Sequence, residues 1–181
     1  EPTNIKKLYG ADKEPTKNFA EQCLMARRFS EAGVRFVQIT HRYWDSHDNL
    51  RKEHAKLSAE MDKPVAGLIA DLKQRGLLDD TLVLMMGEFG RSPVMTKTAG
   101  RGHWARVMSM VMAGGGLNHG GVIGSTDRKG YDVASRRVGP SDLAATVFQH
   151  LGIDLNTHWT NSQGRPVPIV TEGGQPISEL F

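Results

Sequence analysis

Asp45 and His47 stand two residues apart in the stretch His41-Arg42-Tyr43-Trp44-Asp45-Ser46-His47-Asp48-Asn49. In an extended segment, side chains at i and i+2 face the same side, so a carboxylate and an imidazole can reach one metal ion. That donor pair suits Zn, Mn or Fe, whereas Ca or Mg is less natural beside an imidazole. A plain loop of capping residues is the competing reading of the spacing, and Asp48 or Asn49 reads as the N-cap of a following helix. A second cluster runs Gly87-Glu88-Phe89-Gly90-Arg91-Ser92-Pro93, with Arg101-Gly102-His103-Trp104 after it. Glu88 can serve there as a further ligand or a general base, or pair with Arg91. His103, in a glycine-rich loop, is a ligand candidate. The planar forks of Arg91 and Arg101 can hold an anionic oxygen of phosphate or sulfate; their plain alternative is a solvated surface.

Both clusters follow apolar runs, Val34–Ile39 and Thr81–Met86, which read as buried strands ending at the chemistry. Between them the pattern predicts a helix from about Asn49 to Gly76, kinked or restarted at Pro64 with Asp62 as its cap. Another helix is predicted from Lys17 to Ala32, stopped by Gly33. Strand, helix, strand favours a right-handed parallel crossover. Val107–Ala113 reads as a third buried strand, Gly121–Asp127 as a hairpin or edge strand, and Ser141–Leu151 as a helix introduced by Pro140. Residues 1–15 read as a linker or surface arm, 16–160 as the α/β domain, and 161–181 as an extended tail. His54 falls on what reads as a solvated helix face.

The composition excludes several classes. With 181 residues, 39% hydrophobic and 24% charged, the chain has the make-up of an ordinary globular domain or a piece of a larger one. A net charge of +3 with scattered basic residues argues against nucleic acid as a partner. The single cysteine, Cys23, excludes a disulfide within the chain and a cysteine-rich zinc site, and reads as a small buried apolar residue. No run approaches the ~20 apolar residues of a membrane-spanning helix.

Taken in order, Trp44-Asp45-Ser46-His47, Gly87–Pro93, Gly100–Trp104, Ala113–Gly116 with Gly124–Asp127, and Ser141–Thr146 with Leu151–Asp154 resemble a bacterial family of sulfatase-like proteins. That family is similar to the alkaline phosphatase superfamily. The resemblance spans residues 17 to 160. It implies an α/β three-layer sandwich with a mostly parallel central sheet, here incomplete, and metal ions at the strand ends. By position it implies one site of Asp45, His47 and His103, with Glu88 nearer a second, and a divalent ion, Zn or Mn ahead of Ca or Mg.

Relatives of that kind carry Asp where Gly102 stands, and nothing here matches the sulfatase nucleophile motif. The chain is therefore expected to be the C-terminal portion of a longer protein, with the N-terminal portion as its partner and its location periplasmic or secreted. A sheet cut in this way exposes an edge, so self-association is expected as well. The implied function is metal-dependent hydrolysis of sulfate or phosphate esters of small molecules or glycans, with Glu88, Arg91 and Arg101 as catalytic groups. The alternative is a non-catalytic binding or structural protein that retains the fold.

Overall fold

Helix pairing organises the N-terminal part of the computed structural model, which describes residues 1–181. The elements are α1 (Thr3–Tyr9), α2 (Lys17–Glu31) and α3 (Leu50–Gln74). On α2 the buried positions Phe19, Ala20, Cys23, Leu24 and Arg27 recur at helical spacing and form one stripe. The matching stripe of α3 is Leu57, Pro64, Gly67, Leu68, Asp71 and Leu72. These two faces close on Tyr9 and Ala11, and that contact is the hydrophobic core. Cys23 is fully buried there, and burial pushes its thiol up to about 12.

Residues 1–15 are thus no surface arm. Thr3–Tyr9 is helical and Tyr9 is wholly buried. Gly10, in the left-handed region at φ 76°, turns the chain after α1. A close approach makes the packing possible: a Cβ on Gly67 of α3 would sit 2.9 Å from both the Leu8 carbonyl oxygen and the Tyr9 Cα of α1. α3 also runs unbroken through Pro64, so the expected second helix capped by Asp62 does not form.

Ionic pairs lie beneath these helices. The Tyr9 hydroxyl donates to Asp71 Oδ2 at 2.9 Å, and Arg75 Nε donates to Asp71 Oδ1 at 2.8 Å. Arg27, 3% exposed, pairs with Glu1 at 2.6 Å and with Glu31, and its Nε lies 3.0 Å from Asp71 Oδ2. Burial and the adjacent Asp71 carboxylate push the Tyr9 phenol well above its ordinary range. Burial opposes the charge on Glu1 as well, but hydrogen bonds from Arg28 and Arg27 outweigh it and hold its carboxyl at about 2.

The sheet architecture corrects the expected sandwich. There is no mostly parallel central sheet and no alkaline-phosphatase-like three-layer arrangement. Four antiparallel pairs stand in its place. β1 (Val83–Met85) pairs with β4 (Val111–Ala113), β2 (Gly90–Met95) with β3 (Arg101–Trp104), β5 (Ser125–Thr126) with β6 (Val133–Ser135), and β7 (His158–Thr160) with β8 (Pro166–Pro168).

The reason is local. Three of the pairs join strands separated by short turns, which permit only an antiparallel return. The strand expected at Val34–Ile39 would have supplied the parallel partner. It carries no strand pairing, and Phe36 is 70% exposed. The third expected strand shrinks to Val111–Ala113. Helix α4 (Pro140–His150) forms as expected, with Pro140 in its first turn. The tail folds back on it: the Ile177 amide donates to Thr146 Oγ1 at 3.0 Å, and Ile177 is buried.

Three outcomes test this core. Gly67→Ala, which drives a methyl group into backbone, should cost about 1–3 kcal/mol in urea unfolding. Arg27→Met should cost about 3 kcal/mol, the lower end for a broken buried pair, since Arg75 still faces Asp71. A depressed carboxyl stabilises the fold above its unfolded value of 4.5 and loses that effect as pH falls toward about 2. The stability gap between wild type and Glu1→Gln should therefore be full above pH 4.5 and close across that window; a gap independent of pH would contradict the assignment.

Candidate metal centre

Two pieces of chain meet at the site. One is the irregular segment that leads into α3. The other is the β2–β3 hairpin, in which Arg91 and His103 lie directly opposite each other. The turn of that hairpin clamps the first piece. The amides of Asn49 and Leu50 donate to the carbonyls of Thr98 and Ala99, each at 3.0 Å. Two of the amides that begin α3, which lack intrahelical partners, are satisfied in this way.

Asn49 holds the cap position as expected, but in the left-handed region at φ 48° and without a side-chain bond to the helix. Gly100 seats the clamp. A Cβ there would fall 1.6 Å from the His47 carbonyl oxygen, so no side chain fits between hairpin and loop. Thr96 Oγ1 supports the same contact, accepting from the Gly100 amide at 3.0 Å and donating to the His47 carbonyl at 3.4 Å.

Asp45, His47 and His103 converge on this clamp, their ligand atoms all within 4.8 Å of one another. Asp45 Oδ1 lies 3.0 Å from His47 Nε2 and 2.8 Å from His103 Nε2, and the two Nε2 atoms are 3.1 Å apart. Hydrogen bonds cannot satisfy this triangle with neutral rings. If both nitrogens donate to the carboxylate, neither has a lone pair for the other; if one accepts, it loses the carboxylate. One cation would use all three lone pairs together. The edges of the triangle also approach the ~3.3 Å expected between tetrahedral ligands on bonds of about 2.0–2.1 Å. Two imidazoles and one carboxylate are a donor set for Zn, Mn or Fe.

Arg91 completes the electrostatics. Its Nη2 donates to Asp45 Oδ1 and, at 3.3 Å, to the Trp44 carbonyl. Hydrogen bonds from Arg91 first and His103 second hold the Asp45 carboxyl down at about 2. Phe89 packs against His103 in a tilted arrangement, with ring centroids 4.4 Å apart. Asp45, His47 and His103 are each about half-exposed or more, so the centre opens to solvent.

The other expected site residues lie elsewhere. Glu88 is exposed and outside the cluster, and Arg91 pairs with Asp45 in its place. Arg101 turns its guanidinium to the Ser92 carbonyl at 2.6 Å, bracing the hairpin. His54 packs edge-on against Trp44, with ring centroids 5.2 Å apart, and is not a solvated face residue. Sequence reasoning missed Gly100 and Thr96. Gly100 stood in the Gly100–Trp104 motif, but its role there was not readable, because its constraint comes from a backbone 53 residues away in the chain (100 − 47).

The model of the family described as "Protein of unknown function (DUF1501)" matches residues 1–181, and the chain belongs to that family. No curated protein and no solved structure matches it.

Gly100→Ala should separate the hairpin from the loop. Far-UV circular dichroism should keep the helices, unfolding should become about 1–3 kcal/mol easier, and affinity for added Zn should fall. Unchanged stability and metal affinity would contradict the clamp.

Proposed function

We propose that the protein is a metal-dependent hydrolase of sulfate or phosphate esters, acting through the Asp45–His47–His103 centre. The observation that carries this reading is the triangle of three ligand atoms from two separate parts of the chain, with a guanidinium beside it. The expected sandwich is not part of the support. Asp45, His47 and His103 would hold Zn or Mn. Such an ion, when bound, supplies Lewis acidity toward an ester oxygen.

The chain's own residues do the rest. Arg91 offers its fork to a non-bridging oxygen of the ester, where charge builds as water attacks phosphorus or sulfur and the alcohol oxygen leaves, taking up a proton from the water. The Trp44 carbonyl holds Arg91 in place when Asp45 turns to the ion. Phe89 shields one face of His103 from water. Glu88 has no position in this scheme.

One observation favours a second reading, a metal-binding protein without turnover: the sequence carries no match to the sulfatase nucleophile motif. The two readings divide on activity.

Asp45→Ala and His103→Ala should each lower bound Zn or Mn, measured by elemental analysis after dialysis, at least about tenfold. Arg91→Ala should retain the metal, since it removes a competing cation, and should lower kcat/KM toward p-nitrophenyl phosphate or sulfate by about 10²-fold or more. Equal metal content in wild type and both ligand variants would reject the centre. Metal bound without hydrolysis of either ester would leave the non-catalytic reading.

A further inference from the structure

A cleft of about 510 Å³ lies between the N-terminal half of α2, residues 38–43 and Glu60 of α3. We propose that it binds a sugar ring, so that the ester substrate is a sulfated or phosphorylated glycan. This rests on the hydrolase reading above and names its substrate class.

The lining has the chemistry of a polyhydroxylated ligand. Asn18, Gln22 and Gln38 present amides, each able to donate and accept, and Glu60 presents acceptors only. Gln22 Nε2 donates to Asn18 Oδ1 at 2.9 Å, which leaves the Gln22 carbonyl and the Asn18 amino group for a ligand. His41 is set as a donor. The Trp44 indole N–H, which can only donate, reaches His41 Nδ1 at 2.9 Å, so the ring proton sits on Nε2, 3.4 Å from Glu60 Oε2. Phe19 holds that ring edge-on, with centroids 4.7 Å apart. Hydroxyl groups, both donors and acceptors, match such a mixed set.

Tyr43 supplies the remaining part. It is 83% exposed and is held at φ 74°, a left-handed conformation that costs a bulky residue energy. An aromatic face kept exposed beside mixed hydrogen-bonding groups is a platform for the apolar face of a sugar ring. The lining argues against other occupants: Arg42 is its single guanidinium, too little charge for a polyanion, and its apolar surface is too small for a lipid.

Position links the cleft to the chemistry. Tyr43 is two residues from Asp45, so their Cα atoms are at most about 7 Å apart. A ring seated on Tyr43 would thus lie beside the loop that carries Asp45.

Saturation-transfer NMR with the methyl glycosides of glucose, galactose and N-acetylglucosamine, and with their 6-sulfates, tests this in the presence of diamagnetic Zn. At least one neutral glycoside should bind in about the millimolar range. Tyr43→Ala and Gln38→Ala should each weaken it about tenfold, with unchanged metal content and circular dichroism. The matching 6-sulfate should bind more tightly than the neutral sugar, and Asp45→Ala should remove only that gain. No binding by any glycoside, or binding indifferent to both cleft variants, would overturn the proposal. Neutral-sugar binding with no gain from sulfate in wild type would support the cleft and overturn the metal-centre reading on which the ester assignment rests.

Discussion

Asp45 Oδ1 carries more interactions than any other atom of the site: one guanidinium and two imidazole nitrogens meet at it. A carboxylate oxygen crowded in this way is held by positive charge, and here Arg91 provides it. The same arrangement explains why the imidazoles can approach each other so closely, because both are drawn to one acceptor. A divalent ion would substitute for part of that charge and relieve the competition among the three donors. Any cation bound there would compete with the Arg91 guanidinium for this one oxygen.

That oxygen is placed by backbone, not by side-chain packing. Gly100 lies flat against the His47 carbonyl, and the hairpin turn takes up the amides that begin α3. α3 in turn is fixed by α1 and α2 through the close contact at Gly67 and the charges around Asp71. Core and centre are thus joined by one long helix.

Much of the centre was legible in the chain, and much of the fold was not. The two-residue spacing of Asp45 and His47 marked them as a ligand pair by residue type; it was the family resemblance that grouped His103 with them, and the fold brings the three together. Helices α2, α3 and α4 were readable from the spacing of apolar positions and from glycine stops at Gly33, Gly76 and Gly152. The sheet was not. An apolar run such as Val34–Ile39 reports only that the segment prefers burial, not which strand it would pair with, and it lies exposed and unpaired. Glu88, which the resemblance set nearer a second site, lies outside the Asp45–His47–His103 cluster. A pair between Arg91 and Glu88 was one open alternative; the hairpin instead sets Arg91 opposite His103, and its guanidinium pairs with Asp45.

The most direct measurement is the anomalous scattering of a crystal grown with Zn, read at the zinc edge. The account predicts a single strong peak bonded to Asp45 Oδ1, His47 Nε2 and His103 Nε2 at about 2.0–2.2 Å, with Arg91 released from Asp45. A peak at other residues, or none at saturating zinc with Arg91 still on Asp45, would contradict it.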